Sequence, residues 1–417
     1  MESDKVEEAR PAAPAPDLPA AQRPLPAPAP DALAAQAAQP APQQGPDSRG
    51  LELHERDFDW VFIGPHGLRS GWSVLLFAAM YYLFREVIGT LFYAAGLVHD
   101  GPIDSAPAVL VSELIPFFSL VAAALIMILI DDRGASPNIN RRIESYNLAG
   151  PRRLPHFLSG LLAGFAALSL LVAALACGGW MHLGPALPSV PQAAGVGILW
   201  AIAFLLVAGV EEGLFRCYSL STLTRGINFW WALAAQICFC LYLAFTGGNG
   251  AWGVYLAAAL GFFPCLILHQ KAAARSAFWQ ASWVTSTFFG FYHTSNPGEN
   301  WIGIFAASLM GFVFCLSVRL TGSAWWALGC HAAWDWAETF FYGAADSGLQ
   351  GRGHFLSASP VGNPLWSGGA DGPEGSLLVL GAILLLLLFL LAVYARNTPL
   401  PTPAAGSAAQ SVNHSEN

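Results

Sequence analysis

The sequence predicts an all-α fold, a polytopic transmembrane helical bundle of about ten spans (eight to twelve) with disordered N- and C-terminal tails. Three observations carry that prediction. The 417-residue chain is 55% hydrophobic and 11% charged, with a mean hydropathy of +0.48, which is too little polar surface to cover a water-soluble globule of this size. Its apolar residues cluster into stretches of roughly 20, the length a hydrocarbon core requires. Its lysines and arginines fill every second inter-span loop, as the positive-inside rule expects.

Residues 1–50 alternate Ala, Pro, Gln and acidic residues with almost no large apolar side chains. Such a segment cannot bury enough surface to offset the entropy of ordering, so it reads as a disordered tail. It begins MESDKVEEAR, with no basic stretch leading into a short apolar one, and so does not read as a cleavable secretory signal. The first span is expected to act as its own insertion signal.

Residues 51–194 hold the N-terminal spans, near Trp72–Leu97, Val109–Ile130 and Phe157–Trp180. Residues 195–342 hold Gly195–Leu220, Phe229–Phe245, Val254–Leu268, Ala281–His293, Ile302–Leu320 and Ala324–Tyr342. Two of these are short for a full crossing, notably the one ending at His293, which suggests tilted, merged or re-entrant segments. Residues 343–397 supply an extracytoplasmic loop and the last span, Leu377–Tyr394, and residues 398–417 form a second disordered tail.

Arg56 and Arg69 precede the first span, and Arg133, Arg141, Arg142, Arg152 and Arg153 follow the second. Arg225, Lys271 with Arg275, Arg319 and Arg396 continue the alternation, with Arg352 alone on the other side. Both termini are therefore expected in the cytoplasm, with a bacterial inner membrane as the expected location. The net charge of −8 owes much to acidic residues in the ends and loops. No basic patch offers a phosphate footprint, so a nucleic-acid partner is not expected. The seven cysteines lack the paired spacings of a zinc site and read as small apolar side chains.

Ionisable residues inside apolar spans are costly, at least about 2.5 kcal/mol each on insertion scales, so each is a functional candidate. In VEEGLFR, Glu212 and Arg216 are four apart and share a helical face beside Glu211. Adjacent carboxylates at low dielectric need a cation to offset them, which leaves one of the pair suited to general-base work. In FFGFYHTSNPGEN, Phe289 precedes His293 by one turn and Asn296-Pro297-Gly298 marks the helix end. In GCHAAWDWAE, His331 and Asp335 share a face, with Glu338 further along the same stripe. Taken singly, each group also fits a structural ion pair or a satisfied core residue. Taken together, three helices that must all turn their acids and imidazoles away from lipid point to one convergent site able to activate water and stabilise an oxyanion.

These residues resemble the CAAX-protease and bacteriocin-processing (Abi) family of intramembrane endopeptidases, which includes the type II CAAX prenyl endopeptidases. The family pattern E-E-x-x-x-R, F-x-x-x-H and H-x-x-x-N is matched by Glu211-Glu212-x-x-x-Arg216, Phe289-x-x-x-His293 and His331-x-x-x-Asp335. The resemblance covers roughly Gly195 to Tyr342. It departs from the family at an extra helical hairpin near 229–268 and at Asp335, where Asn is commoner.

The resemblance implies that Glu211 with His293 activates a water, that His331 and Asp335 stabilise the oxyanion, and that Glu212 and Arg216 hold charge and geometry. It also leaves a divalent metal such as zinc open as a cofactor, on Glu211 or Glu212 with His293 and His331. The expected partners are a protein or peptide substrate in the membrane and the bilayer itself; no feature sets an oligomeric state. Two other classes stay open: a non-catalytic membrane protein of the same fold, of the immunity type, and a proton-coupled transporter. One strain is expected. Glu211 falls near mid-membrane while His293 lies far along its short span, so that helix must start late or bend if the motifs are to meet.

Overall fold

A computed structural model describes residues 59–64, 67–99, 101–130, 146–150, 152–185, 190–227, 229–246 and 276–395. Both expected tails, the Val254–Leu268 span and the basic residues Arg56, Arg133, Arg141, Arg142, Lys271, Arg275 and Arg396 lie outside the described residues. So does the second half of the expected hairpin near 229–268.

The longer helices are α1 (Ser70–Ala94), α2 (Ala106–Ile130), α3 (Arg153–Cys177), α4 (Val190–Glu212), α5 (Leu220–Gly226), α6 (Phe229–Thr246), α7 (Ser276–Tyr292), α8 (Trp301–Thr321), α9 (Trp325–Trp336) and α10 (Val379–Tyr394). A π-helical stretch, Gly213–Ser219, joins α4 to α5, and another, Ala337–Tyr342, prolongs α9. Among the described residues, five helices are long and apolar enough to cross a membrane: α1, α2, α3, the joined run Ala193–Gly226, and α8. The 16-residue α10 is a shorter apolar helix. The protein is a multi-pass, mainly helical membrane protein.

Local sequence explains the element ends. Asn300 caps α8 by accepting from the Ile302 and Gly303 amides at 2.8 and 3.3 Å, and Gly322 ends it in the left-handed conformation at φ 76°. Pro116 sits inside α2, as is tolerated within membrane helices. Leucines such as Leu83, Leu129 and Leu162 stay well exposed on the outer faces, where lipid replaces water as solvent.

The core lies between α3, α8, α9 and α10, around Leu168, Leu175, Phe314, Trp326, Trp334 and Leu386. Helix α9 is pressed directly against α3. A Cβ on Gly160 would lie 2.2 Å from the Trp326 carbonyl, one on Gly164 2.1 Å from that of Cys330, and one on Gly329 2.2 Å from that of Phe157. Three glycines therefore let two backbones touch, the small-residue packing by which membrane helices associate without a hydrophobic driving force.

The connecting segments gather at two ends. At one, Ala324 N–H donates to Asn147 O and Trp325 Nε1 to Leu148 O. At the other, Arg352 pairs with Asp104, and strand Met181–Gly184 pairs antiparallel with Ser357–Pro360, Met181 opposite Pro360. Two further two-stranded ribbons, Ile63–Gly64 with Gly67–Leu68 and Ala345–Asp346 with Leu349–Gln350, are local hairpins. The 343–376 segment is thus a folded cap on one end of the bundle.

Of the seven cysteines, Cys217, Cys315 and Cys330 are buried and free, while Cys177 and Cys238 are free but exposed on the bundle surface. Of these five, burial as small apolar side chains holds for the first three; the side chains of Cys240 and Cys265 lie outside the described structure.

Candidate active site

The centre is built on one buried ion pair. Arg216 and Glu212 are both fully buried, with Nη1 to Oε1 at 3.1 Å. The guanidinium also lies over the Phe289 ring, 4.1 Å from its centroid, and 5.2 Å from that of Phe314. A cation on two aromatic faces in a desolvated setting is worth about 2 kcal/mol or more. The wide π-helical turn that begins at Gly213 carries Arg216 into this position, and Asn147 Nδ2 fastens the turn by donating to the Arg216 carbonyl at 2.7 Å. Such turns interrupt α-helices mostly at functional sites. Gly311 of α8 makes room, since a Cβ there would meet Arg216 Nη2 at 2.8 Å.

From Glu212 the site passes to His331. Nδ1 of His331 lies 3.0 Å from Glu212 Oε1, and Nε2 lies 3.6 Å from Glu211 Oε2 and 3.5 Å from Asp335 Oδ2. The first is a hydrogen bond; the other two exceed direct hydrogen-bond length and act through charge or a bridging water. Glu211 Oε2 is buried with no hydrogen-bond partner among the described residues. One imidazole is thereby oriented on one side by a carboxylate and faces two more on the other.

Phe289 links the third motif. Its ring meets His293 and His331 edge-on, at centroid distances of 5.0 and 5.9 Å, while its face carries Arg216. His293 follows the last residue of α7, with Nδ1 2.9 Å from the Phe289 carbonyl. That leaves Nε2 as the ring nitrogen not tied to the helix end. Glu211, His293, His331 and Asp335 all line one cavity of about 540 Å³, so the structure brings together the residues singled out in the sequence. Glu212 and Arg216 lie behind its wall.

The expected bend or late start of α7 is not needed. Glu211 is 15 residues before Gly226, where its helical run ends, and His293 is 17 residues after Ser276, where α7 begins. At about 1.5 Å per residue these are similar depths, and the two runs pack side by side through Cys217, Leu220, Ala281 and Val284.

Other cavity residues escaped the sequence reading. Glu113 lines it from α2, and its signal was available, a carboxylate inside an apolar span. Asp346, Ser347, Gln350 and Glu374 reach it from the cap; nothing in a polar loop distinguishes such residues before folding. A zinc trio of Glu211, His293 and His331 does not fit as placed, because their donor atoms do not all fall within 4.8 Å of one another.

Residues 262–337, which hold Phe289, His293, His331 and Asp335, match the family model for type II CAAX prenyl endopeptidase Rce1-like proteins. The match spans less than a fifth of the chain and supports the CAAX-protease resemblance of these two motifs. No curated protein and no solved structure matches it. The glutamate motif, Glu211-Glu212-x-x-x-Arg216, lies outside the matched stretch and joins the CAAX-protease region only in space, through the Glu212–His331 and Arg216–Phe289 contacts.

Proposed function

We propose that the protein is an intramembrane endopeptidase that hydrolyses peptide bonds of a membrane-associated or lipidated protein or peptide. The observation that carries this reading is His331 set among Glu211, Glu212 and Asp335 in the wall of a cavity shared with His293. In this mechanism a water held between Glu211 and His293 loses its proton to Glu211 and attacks the scissile carbonyl. The oxyanion that forms is stabilised from the His331–Asp335 side, and the proton passes from Glu211 to the leaving amine. Glu212 and Arg216 fix the imidazole and hold the charge balance.

The membrane frame of this reading has about ten spans. The five long helices, α6, α7, α9 with its π-helical extension, α10 and the Val254–Leu268 segment supply them, with both termini in the cytoplasm of a bacterial cell and the cap outside. The misfit of the zinc trio supports a metal-free, glutamate-dependent version. Chelation followed by zinc add-back tests that choice, since restoration by zinc alone would refute it.

The deciding experiment compares the membrane proteomes of cells carrying the wild type and Glu211→Gln. The variant is expected to fold and accumulate normally while one or more cleaved fragments disappear. Identical fragments in both strains would overturn the peptidase reading and favour a non-catalytic protein of the same fold.

A further inference from the structure

Beyond Asp335, one turn further along α9 toward the cap, three carboxylates converge. Glu338 comes from the π-helical stretch after α9, Asp346 from the first cap hairpin and Glu374 from the turn before α10. Each offers one oxygen, and these oxygens lie within 4.8 Å of one another. Two of the groups are held by donors: Glu374 accepts from Trp334 Nε1 and Ser347 Oγ, both at 2.7 Å, and Asp346 Oδ2 accepts from Thr339 Oγ1 at 3.1 Å.

Glu338 is different. It is 0% exposed, it reaches into the cluster, and neither of its oxygens has a hydrogen-bond partner among the described residues. Burying a carboxylate without a partner is expensive. A proton shared with Asp346 or Glu374 is the alternative to a cation, and the response to Ca²⁺ and EDTA below separates the two. No ion pair offsets the expense: among the described residues the arginine bridges go to Glu212 and Asp104 and none reaches these three acids.

We propose that Glu338, Asp346 and Glu374 form a binding site for a hard, oxygen-preferring divalent cation, calcium above all. The donor set is all oxygen, which disfavours zinc and other metals that take nitrogen or sulfur. Calcium–oxygen bonds of about 2.3–2.6 Å let ligands on opposite sides of the ion stand about 4.8 Å apart, whereas magnesium needs a tighter shell. Asp346 and Glu374 also line the cavity, so water completes the coordination from that side. Gly372, at φ 101°, keeps the cap close: a Cβ there would lie 2.1 Å from the Ala345 carbonyl and 3.4 Å from Glu338 Oε1.

A cation here ties α9, the cap hairpin and the approach to α10 together beside Asp335. The site does not depend on peptidase activity and holds equally for a non-catalytic protein. The test uses the full-length protein, purified in detergent and stripped with EDTA, with Tb³⁺ as the probe. Trp334, hydrogen-bonded to Glu374, serves as the energy donor.

Sensitised luminescence is expected in the wild type and is displaced by Ca²⁺. It weakens more than about tenfold in Glu338→Gln and in Asp346→Asn, as loss of one charged ligand demands, and is unchanged in Asp104→Asn. Ca²⁺ raises the wild-type Tm but not that of Glu338→Gln, which in EDTA melts above the wild type. No displacement by Ca²⁺ up to about 10 mM, well above the affinity of weak calcium modules, would overturn the site, as would variants that bind like the wild type. If neither variant folds, a wild-type Tm identical with and without Ca²⁺ overturns it alone.

Discussion

Arg216 lies over the face of Phe289, 4.1 Å from the ring centroid, while His293 and His331 meet the same ring edge-on. One phenyl group therefore joins the cation of the first motif to the imidazoles of the other two. Phe289→Leu keeps most of the volume but removes the π face, and is expected to cost about 2 kcal/mol. Phe289→Ala adds a cavity and should cost about 3–5 kcal/mol. Thermal unfolding in detergent measures both, and equal stability of Leu and Phe would show that the cation–π contact contributes nothing.

The Glu212–Arg216 pair is fully buried, so removing one partner strands the other. Arg216→Met is expected to destabilise by about 3–5 kcal/mol, and the Glu212→Gln, Arg216→Met double variant by clearly less. A double-mutant cycle decides it; additive losses would mean that the two charges are not coupled.

Gly164 does not line the cavity, yet its substitution should affect the site. A Cβ there would sit 2.1 Å from the Cys330 carbonyl, next to His331. Gly164→Leu is expected to push α9 off α3, lowering Tm and abolishing turnover together. A variant with normal Tm and normal turnover would show that α3 does not set the position of α9.

Asp335 stands where the resemblance expects Asn, 3.5 Å from His331 Nε2. Asp335→Asn keeps shape and polarity and is expected to retain turnover. Asp335→Leu removes the polar group 3.5 Å from His331 Nε2 and should lower turnover by about two orders of magnitude, the scale of one oxyanion donor left out of position. Fragment release in cells carrying each variant provides the readout.

Where the cap meets the start of α8, burial beside Asp371 pushes the Glu299 carboxyl up to about 9, and burial beside Glu374 pushes Asp371 up to about 8. Raised carboxyl values mean that the folded cap holds these protons more tightly than the unfolded chain. The stabilisation is complete below the ordinary carboxyl range near pH 4 and is lost as pH rises through about 8 and 9. Hydrogen exchange of residues 296–300 and 368–376 in EDTA should therefore speed up between pH 6 and 9 beyond the intrinsic rate. Glu299→Gln should flatten that rise, and an unchanged profile would argue against the proton-holding pair.

The sequence by itself determined the helical membrane class and the three motifs. Both follow from one-dimensional facts: a run of apolar residues has few stable forms in lipid other than a helix, and charges inside such runs stand out by their cost. The Glu212–Arg216 pairing was legible for the same reason, since four-residue spacing is a local property of a helix.

Only the tertiary structure decided the rest. Phe289 could not be read as the seat of a guanidinium, because that contact joins residues 73 positions apart. Gly160, Gly164 and Gly329 look like ordinary small residues until α3 and α9 touch. Glu338 was legible only as one more acid on the His331 stripe. Its convergence with Asp346 and Glu374 depends on a cap folding back over the bundle, and no periodicity or composition encodes where a polar loop returns.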